Sequence, residues 1–133
     1  MRLNDVIEAL EMTSDTSKAF YDLVTKKIEW LDDFGMTRDE YEAASDVLDE
    51  HGFKRLPEQR DIDEYGMMRD FADEKNSPEL RNALSGRGAF RRFKDMVYHM
   101  GLDQDWYQFR DRQYRQVALE WCEDNGIELD DKE

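Results

Sequence analysis

The residues best placed to do chemistry lie around Gly86-Arg87-Gly88. At about 100° per residue, the helix that follows carries Arg87, Arg91, Lys94 and Tyr98 on one stripe. Phe90, Phe93, Val97 and Met100 form a separate apolar stripe, flanked by Ala89 and Met96, and this is the expected core face. A helix N-terminus exposes unpaired amide N–H groups and roughly half a positive charge. Glycines at positions 86 and 88 let a ligand come close to the backbone. The chemistry implied is binding of an anion, whether phosphate, nucleotide or phosphodiester. The expected site is Gly86, Arg87, Gly88, Arg91 and Lys94, completed by Arg110 from the next helix, with Tyr98 and Trp106 as stacking rings. The competing reading is a solvated basic face whose arginines pair with nearby carboxylates.

Arg110 stands out because it projects into an apolar arc made by Trp106, Tyr107, Phe109, Tyr114, Val117 and Trp121. A guanidinium there is costly unless paired. Gln113 and Glu120 share the arc and are the expected partners; the structural alternative is a buried ion pair or a guanidinium stacked on indole.

Other chemical signals are weaker. Neither GxxxxGK[ST] nor GxGxxG occurs, so no nucleotide hydrolysis is implied. Asp61, Asp63 and Glu64 could attract a hard cation, but acidic residues belong in a helix's first turn anyway, and no metal is assigned. The single cysteine, Cys122, excludes a disulfide framework within the chain and any multi-cysteine zinc site, and reads as a core thiol. His51 and His99 each precede a glycine at a helix C-terminus, where an imidazole suits the dipole. With no Ser-His-Asp or Cys-His set and no paired acid and base, an enzyme is disfavoured and no cofactor is implied.

The elements that must position these residues follow from periodicity and caps. Leu3, Val6, Ile7 and Leu10 give a helix over 3–11. Segments 19–24 and 28–31, rich in aromatic and β-branched residues, read as a β-hairpin about Thr25-Lys26-Lys27. Thr37 with Glu40 is a capping box for a helix over 38–50, its inward face Tyr41, Ala44, Val47 and Leu48. A third strand is expected over 53–56. Asp61 with Glu64 caps a helix over 62–75, and Ser77-Pro78 starts a short one to about 84. Helices over 88–100 and 104–124 complete the chain. The fold class is α+β, mainly helical: about six helices with a small antiparallel sheet near the N-terminus. Residues 1–127 are expected to form a single compact domain, with sub-halves 1–52 and 58–127 as a variant, followed by an acidic flexible tail over 128–133.

The 133 residues carry a net charge of −14, 39% charged and 12% aromatic residues. That aromatic content argues against disorder. No run of 18 apolar residues exists and the start, Met1-Arg2-Leu3-Asn4-Asp5, lacks a signal-like stretch, so the chain reads as cytoplasmic and without a membrane partner. The charge is uneven. Residues 81–115 hold eight basic and four acidic groups, +4, which leaves −18 elsewhere. With a Debye length of about 8 Å at physiological salt, a local basic patch still attracts anions. The acidic remainder can repel nucleic acid, serve solubility, or meet a basic partner.

Five blocks together carry a resemblance: Arg55-Leu56-Pro57-Glu58, Glu64-Tyr65-Gly66-Met67-Met68-Arg69-Asp70-Phe71, Gly86-Arg87-Gly88-Ala89-Phe90-Arg91-Arg92-Phe93-Lys94-Asp95, Trp106-Tyr107-Gln108-Phe109-Arg110-Asp111, and Glu120-Trp121-Cys122-Glu123-Asp124-Asn125-Gly126-Ile127. Over about residues 1–127 the chain resembles bacterial uncharacterised protein family 0158. The resemblance implies a small bacterial single-domain protein of unknown function and supplies no catalytic residues. Family members often carry Thr-Gly-Glu in the hairpin turn, where this chain has Thr25-Lys26-Lys27.

The expected function is a non-enzymatic binding module, monomeric, with a weak site for a phosphate-bearing ligand or RNA. The alternatives are an acidic protein-interaction or regulatory adaptor for a basic protein, and an enzyme of unknown chemistry.

Overall fold

The computed structural model describes residues 1–58 and 61–130. Its elements run α1 (Leu3–Met12), β1 (Ser17–Asp22), β2 (Lys27–Asp32), α2 (Arg38–Glu50), β3 (Phe53–Arg55), α3 (Glu64–Glu74), α4 (Pro78–Ala83), α5 (Ala89–His99) and α6 (Asp103–Asp124). This is the mainly helical α+β architecture expected, with one antiparallel sheet ordered β2-β1-β3. Contacts divide the chain into two units that do not follow chain order. The first is Met1–Ile62 with Arg115–Glu133, and the second is Asp63–Tyr114. Helix α6 thus gives residues 103–114 to the second unit and 115–124 to the first.

In the first unit, β1 is the central strand and is buried on both faces over residues 18–21, so Ala19, Phe20 and Tyr21 pack among Leu3, Val6, Leu10, Tyr41, Leu56, Ala118 and Cys122 of the unit's core. The β1–β2 register pairs Asp22 with Lys27 and Ala19 with Trp30. The hairpin turn closes although it lacks glycine: Lys26 takes φ 60°, and the Asp22 carboxylate accepts from the amides of Val24 and Thr25. The Val24 amide in particular holds that carboxyl below its ordinary value. Lys18 is buried beneath the sheet, its Nζ 3.3 Å from Glu42 and 3.9 Å from the buried Glu58 carboxylate, and 4.9 Å from the Tyr41 ring centroid. Burial, with the Glu58 charge, pushes the Tyr41 hydroxyl up to about 12, so it stays neutral and donates to the Leu31 carbonyl at 3.3 Å.

Thr37 caps α2 by accepting from Glu40 N, as its type and spacing predict, and His51 closes it, with Nδ1 2.7 Å from the Val47 carbonyl. The buried face of α2 is Tyr41 and Ser45; Val47, expected inside, is 51% exposed because the face turns about Tyr41 at a spacing of four. Of the residues expected in the acidic tail, Asp130 pairs with the Met1 amine at 3.2 Å, and Ile127 just before it is buried; residues 131–133 lie outside the described residues.

The second unit packs α3, α4, α5 and the first part of α6 around aromatic rings. Phe71 lies 5.4 Å from both Trp106 and Phe109 and 6.2 Å from Phe93, in edge-to-face contacts. Such pairs each add roughly 0.5–1.5 kcal/mol to the burial of their area. Helix α3 starts two residues later than the sequence predicts. Asp63 is its N-cap, accepting from Gly66 N at 2.8 Å, whereas Asp61, the expected cap, accepts from Glu58 N. The nearer carboxylate wins because it reaches the third amide of the first turn without bending the chain. Among the described residues, no helix is long and apolar enough to cross a membrane.

Candidate anion-binding site

The turn before α5 needs two glycines. Gly86 and Gly88 both take left-handed φ, 76° and 73°, which most residues adopt only at a cost. Gly88 is the N-cap and so supplies no side-chain cap. Its Cα faces the Arg92 side chain, whose Nη1 would lie 3.3 Å from an added Cβ. Arg92 folds back over the turn. Its guanidinium donates to the carbonyls of Ala83 (3.2 Å), Arg87 and Ser85. Those oxygens are the negative ends of the turn's peptide dipoles, and a guanidinium bonded to three of them lowers their repulsion of an anion. This role of Arg92 is not apparent from the sequence. The spacing Gly88 to Arg92 is one helical turn, but carbonyl partners leave no mark in sequence.

The first turn of α5 holds no acidic residue, whereas α1, α2, α3, α4 and α6 each do. Arg91 therefore sits near the positive end of the dipole without compensation, an arrangement that costs a few tenths of a kcal/mol to about 1 kcal/mol. Arg87, Arg91 and Lys94 are exposed, and among the described residues none makes an ion pair within 4 Å or a side-chain hydrogen bond. Lys94 acts at longer range, its charge helping to keep Glu64 ionised.

The remaining expected residues separate. Tyr98 is 69% exposed on α5. Trp106 is buried, with Phe93 at 5.1 Å and Phe109 at 6.2 Å, so its ring offers no face to a ligand. Phe90, expected in the core, is 47% exposed, and Met100 is exposed too. The buried residues are Ala89, Phe93 and Val97, so the expected face keeps its centre and loses Phe90 and Met100 at its edge. The aromatic rings α5 turns outward are therefore Phe90 and Tyr98.

Arg110 is engaged elsewhere. Its Nη2 donates to Glu64 Oε1 at 3.0 Å and to the Tyr114 hydroxyl at 3.1 Å, and its guanidinium lies 4.2 Å from the Tyr114 ring centroid. Tyr114 donates to the same Glu64 oxygen at 2.6 Å. Burial alone would raise the Glu64 carboxyl, but the Tyr114 hydroxyl, Arg110 and Lys94 together hold it below its ordinary value. Gln113 and Glu120 were the wrong partners; the right one stands 46 residues earlier in the chain. Arg110 thus belongs to a part-buried cluster with Glu64 and Tyr114 and is not free to join the expected site.

No metal reading emerges from the acidic segment. Asp61 and Asp63 are engaged by backbone amides and Glu64 by Arg110 and Tyr114, and among the described residues no three His, Cys, Asp or Glu side chains are grouped to hold a metal ion. Cys122 is buried, and burial pushes its thiol up, away from the thiolate a nucleophile needs.

No solved structure matches the chain. A relative in Pseudomonas aeruginosa strain PAO1, the UPF0158 protein PA5073, is 40% identical over 68 residues, which span 47% of this chain and 44% of the relative. The aligned part therefore covers less than half of that relative's length. The whole chain, residues 1–133, matches the family described as Uncharacterised protein family (UPF0158). With the Gly-Arg-Gly turn and its flanking blocks read residue by residue and the match running end to end, the chain belongs to the uncharacterised protein family UPF0158.

Proposed function

We propose that this protein is a non-enzymatic binding module whose second unit takes a phosphate group, carried by a small ligand or an RNA backbone, at the start of α5. The observation that carries this reading is the uncompensated first turn: a glycine N-cap without a side-chain acceptor, no acidic residue, and exposed, unpaired Arg87 and Arg91 beside it. An anion there meets amide donors, the positive dipole end and two or three cations at once. The Arg92 latch keeps the turn in its left-handed shape before any ligand arrives. Phe90 and Tyr98 are the rings on which a base would stack.

Such a site is modest. Three phosphate contacts give a log–log salt slope of about −2 to −3. Affinity should then be weak, on the order of tens to hundreds of micromolar, below that of a sequence-specific reader. The test is a thermal-shift screen with inorganic phosphate, nucleotides and short RNAs at low salt. A ligand at 100 times its Kd adds about 2.7 kcal/mol, several degrees for a domain of this size. The shift should vanish in Arg87→Ala/Arg91→Ala/Lys94→Ala. A shift that survives the triple substitution, or none with any ligand, removes the reading.

A further inference from the structure

The two edges of the sheet in the first unit are finished differently. On one side, the Leu56 amide donates to the Ala19 carbonyl, so by antiparallel alternation Arg55 turns its own amide and carbonyl away from β1. That outward carbonyl is capped: Trp121 Nε1 donates to it at 3.0 Å. Strand β3 is also only three residues long. Both are ways of closing an edge to further pairing.

The other edge is β2. The Asp33 amide donates to the Thr16 carbonyl in the same register, so alternation turns the amides and carbonyls of Ile28, Trp30 and Asp32 outward. Among the described residues nothing is bonded to them. Neither proline nor a bulge interrupts this six-residue strand, and its one lysine, Lys27, stands at the hairpin end, opposite Asp22. Apolar side chains accompany the open edge. Trp30 is 39% exposed, Met36 39% and Phe34 93%. Phe34 is not on a loose loop: the Met36 amide donates to the Asp33 carbonyl at 2.9 Å, and Gly35 takes φ 72° to close the turn. The turn is thus anchored through the Asp33 amide to Thr16, the residue before β1, while its aromatic ring faces water.

Charge decides the occupant. The first unit carries 10 basic against 23 acidic residues, −13 of the total −14. Glu29, Asp32 and Asp33 line the open strand itself. A second copy at this edge would bring a unit of net charge −13 against its like, a repulsion that disfavours self-pairing. We infer that the free edge of β2, with Trp30, Phe34 and Met36, docks an extended basic segment of another protein, which joins the sheet as a fourth strand. Backbone hydrogen bonds to Ile28, Trp30 and Asp32 supply affinity, the carboxylates select lysine or arginine, and the exposed rings take the partner's apolar side chains. This surface lies wholly in the first unit and does not depend on the α5 reading.

The probe is a capped, labelled peptide of about seven residues, the length of an ordinary strand, alternating lysine with valine. A control peptide of the same charge carries N-methyl groups on alternate amides, which blocks pairing. Fluorescence anisotropy at low salt should show the control binding more weakly by about tenfold or more. Amide exchange should slow at residues 28, 30 and 32. Trp30→Pro removes an outward donor together with the indole ring, Trp30→Lys keeps the backbone and repels the peptide, and Phe34→Ser removes an exposed ring. Each should weaken binding by a similar factor, while Arg91→Ala should leave it unchanged. Equal binding of the two peptides, no binding of either, or affinity untouched by all three β2-edge variants overturns the proposal. So does a dimer in sedimentation that Trp30→Lys abolishes, because it assigns the edge to a second copy.

Discussion

The two units divide the chain's charge and its aromatic rings in opposite ways. The first holds 10 basic and 23 acidic residues, a net −13; the second holds 9 and 10, a net −1. Inside, the order reverses. The first unit buries a lysine, Lys18, among carboxylates beneath its central strand, while the second builds its core on Phe71, Phe93, Trp106 and Phe109. Outside, the second leaves cations unpaired at the start of α5, and the first leaves a strand edge unpaired among acids. Net charge over the whole chain therefore describes the first unit and not the second, and an anion site can exist on a protein that repels anions on average, since fields fade within a Debye length of about 8 Å.

The largest effect is expected at the ring cluster. Phe71→Ala removes the ring that touches three others and should cost about 3–5 kcal/mol in urea unfolding. Phe34→Ala, an equal loss of carbon at an exposed turn, should stay within about 0.5 kcal/mol. Next comes the buried charge of the first unit. Lys18→Met takes one cation from the buried Glu58 carboxylate, leaving Arg55 Nη1 at 3.6 Å, and should cost up to about 3 kcal/mol, and adding Glu58→Gln should restore part of it. If the double variant is no better than the single, Lys18 acts by shape and not by charge.

The third test concerns the triad of the second unit. Tyr114→Phe deletes the shortest bond to Glu64 and should cost about 1.5 kcal/mol near neutral pH. Because the folded Glu64 carboxyl lies below its unfolded value, its contribution is complete above the unfolded pKa and is lost as pH falls through the folded one. The gap between wild type and variant should accordingly narrow in acid. The smallest effect is at the hairpin turn. Lys26 sits at φ 60°, and Lys26→Gly should stabilise the first unit by roughly 0.5–1 kcal/mol, seen as a raised unfolding midpoint.

Much of this fold was legible because it rests on local rules. The Thr37 cap, the Ser77-Pro78 start, the His51 terminus and the hairpin all follow from residue types a few positions apart. The α5 stripe was legible for the same reason, since Arg91, Lys94 and Tyr98 lie on one helix and their exposure follows from the apolar residues opposite, while Arg87 falls in the turn before the Gly88 cap and outside the helical period. What could not be read depends on distant chain. Arg110 signalled a need for a partner by its place in an apolar arc, but Glu64 lies 46 residues away and no spacing rule finds it. Trp106 shows that an aromatic ring reads alike for core and for ligand until its neighbours are known. The Arg92 latch bonds only to carbonyls, which every residue has, and the split of α6 between units depends on contacts that periodicity does not encode.

The central question is whether the start of α5 binds an anion. The direct measurement is an amide chemical-shift titration of the full chain with inorganic phosphate at low salt. Saturable shifts confined to Gly88, Ala89, Phe90 and Arg91, with β2 amides still and the whole response lost in Arg87→Ala/Arg91→Ala, are the expected result. Shifts that are absent, spread over both units, or indifferent to the two arginines would contradict it.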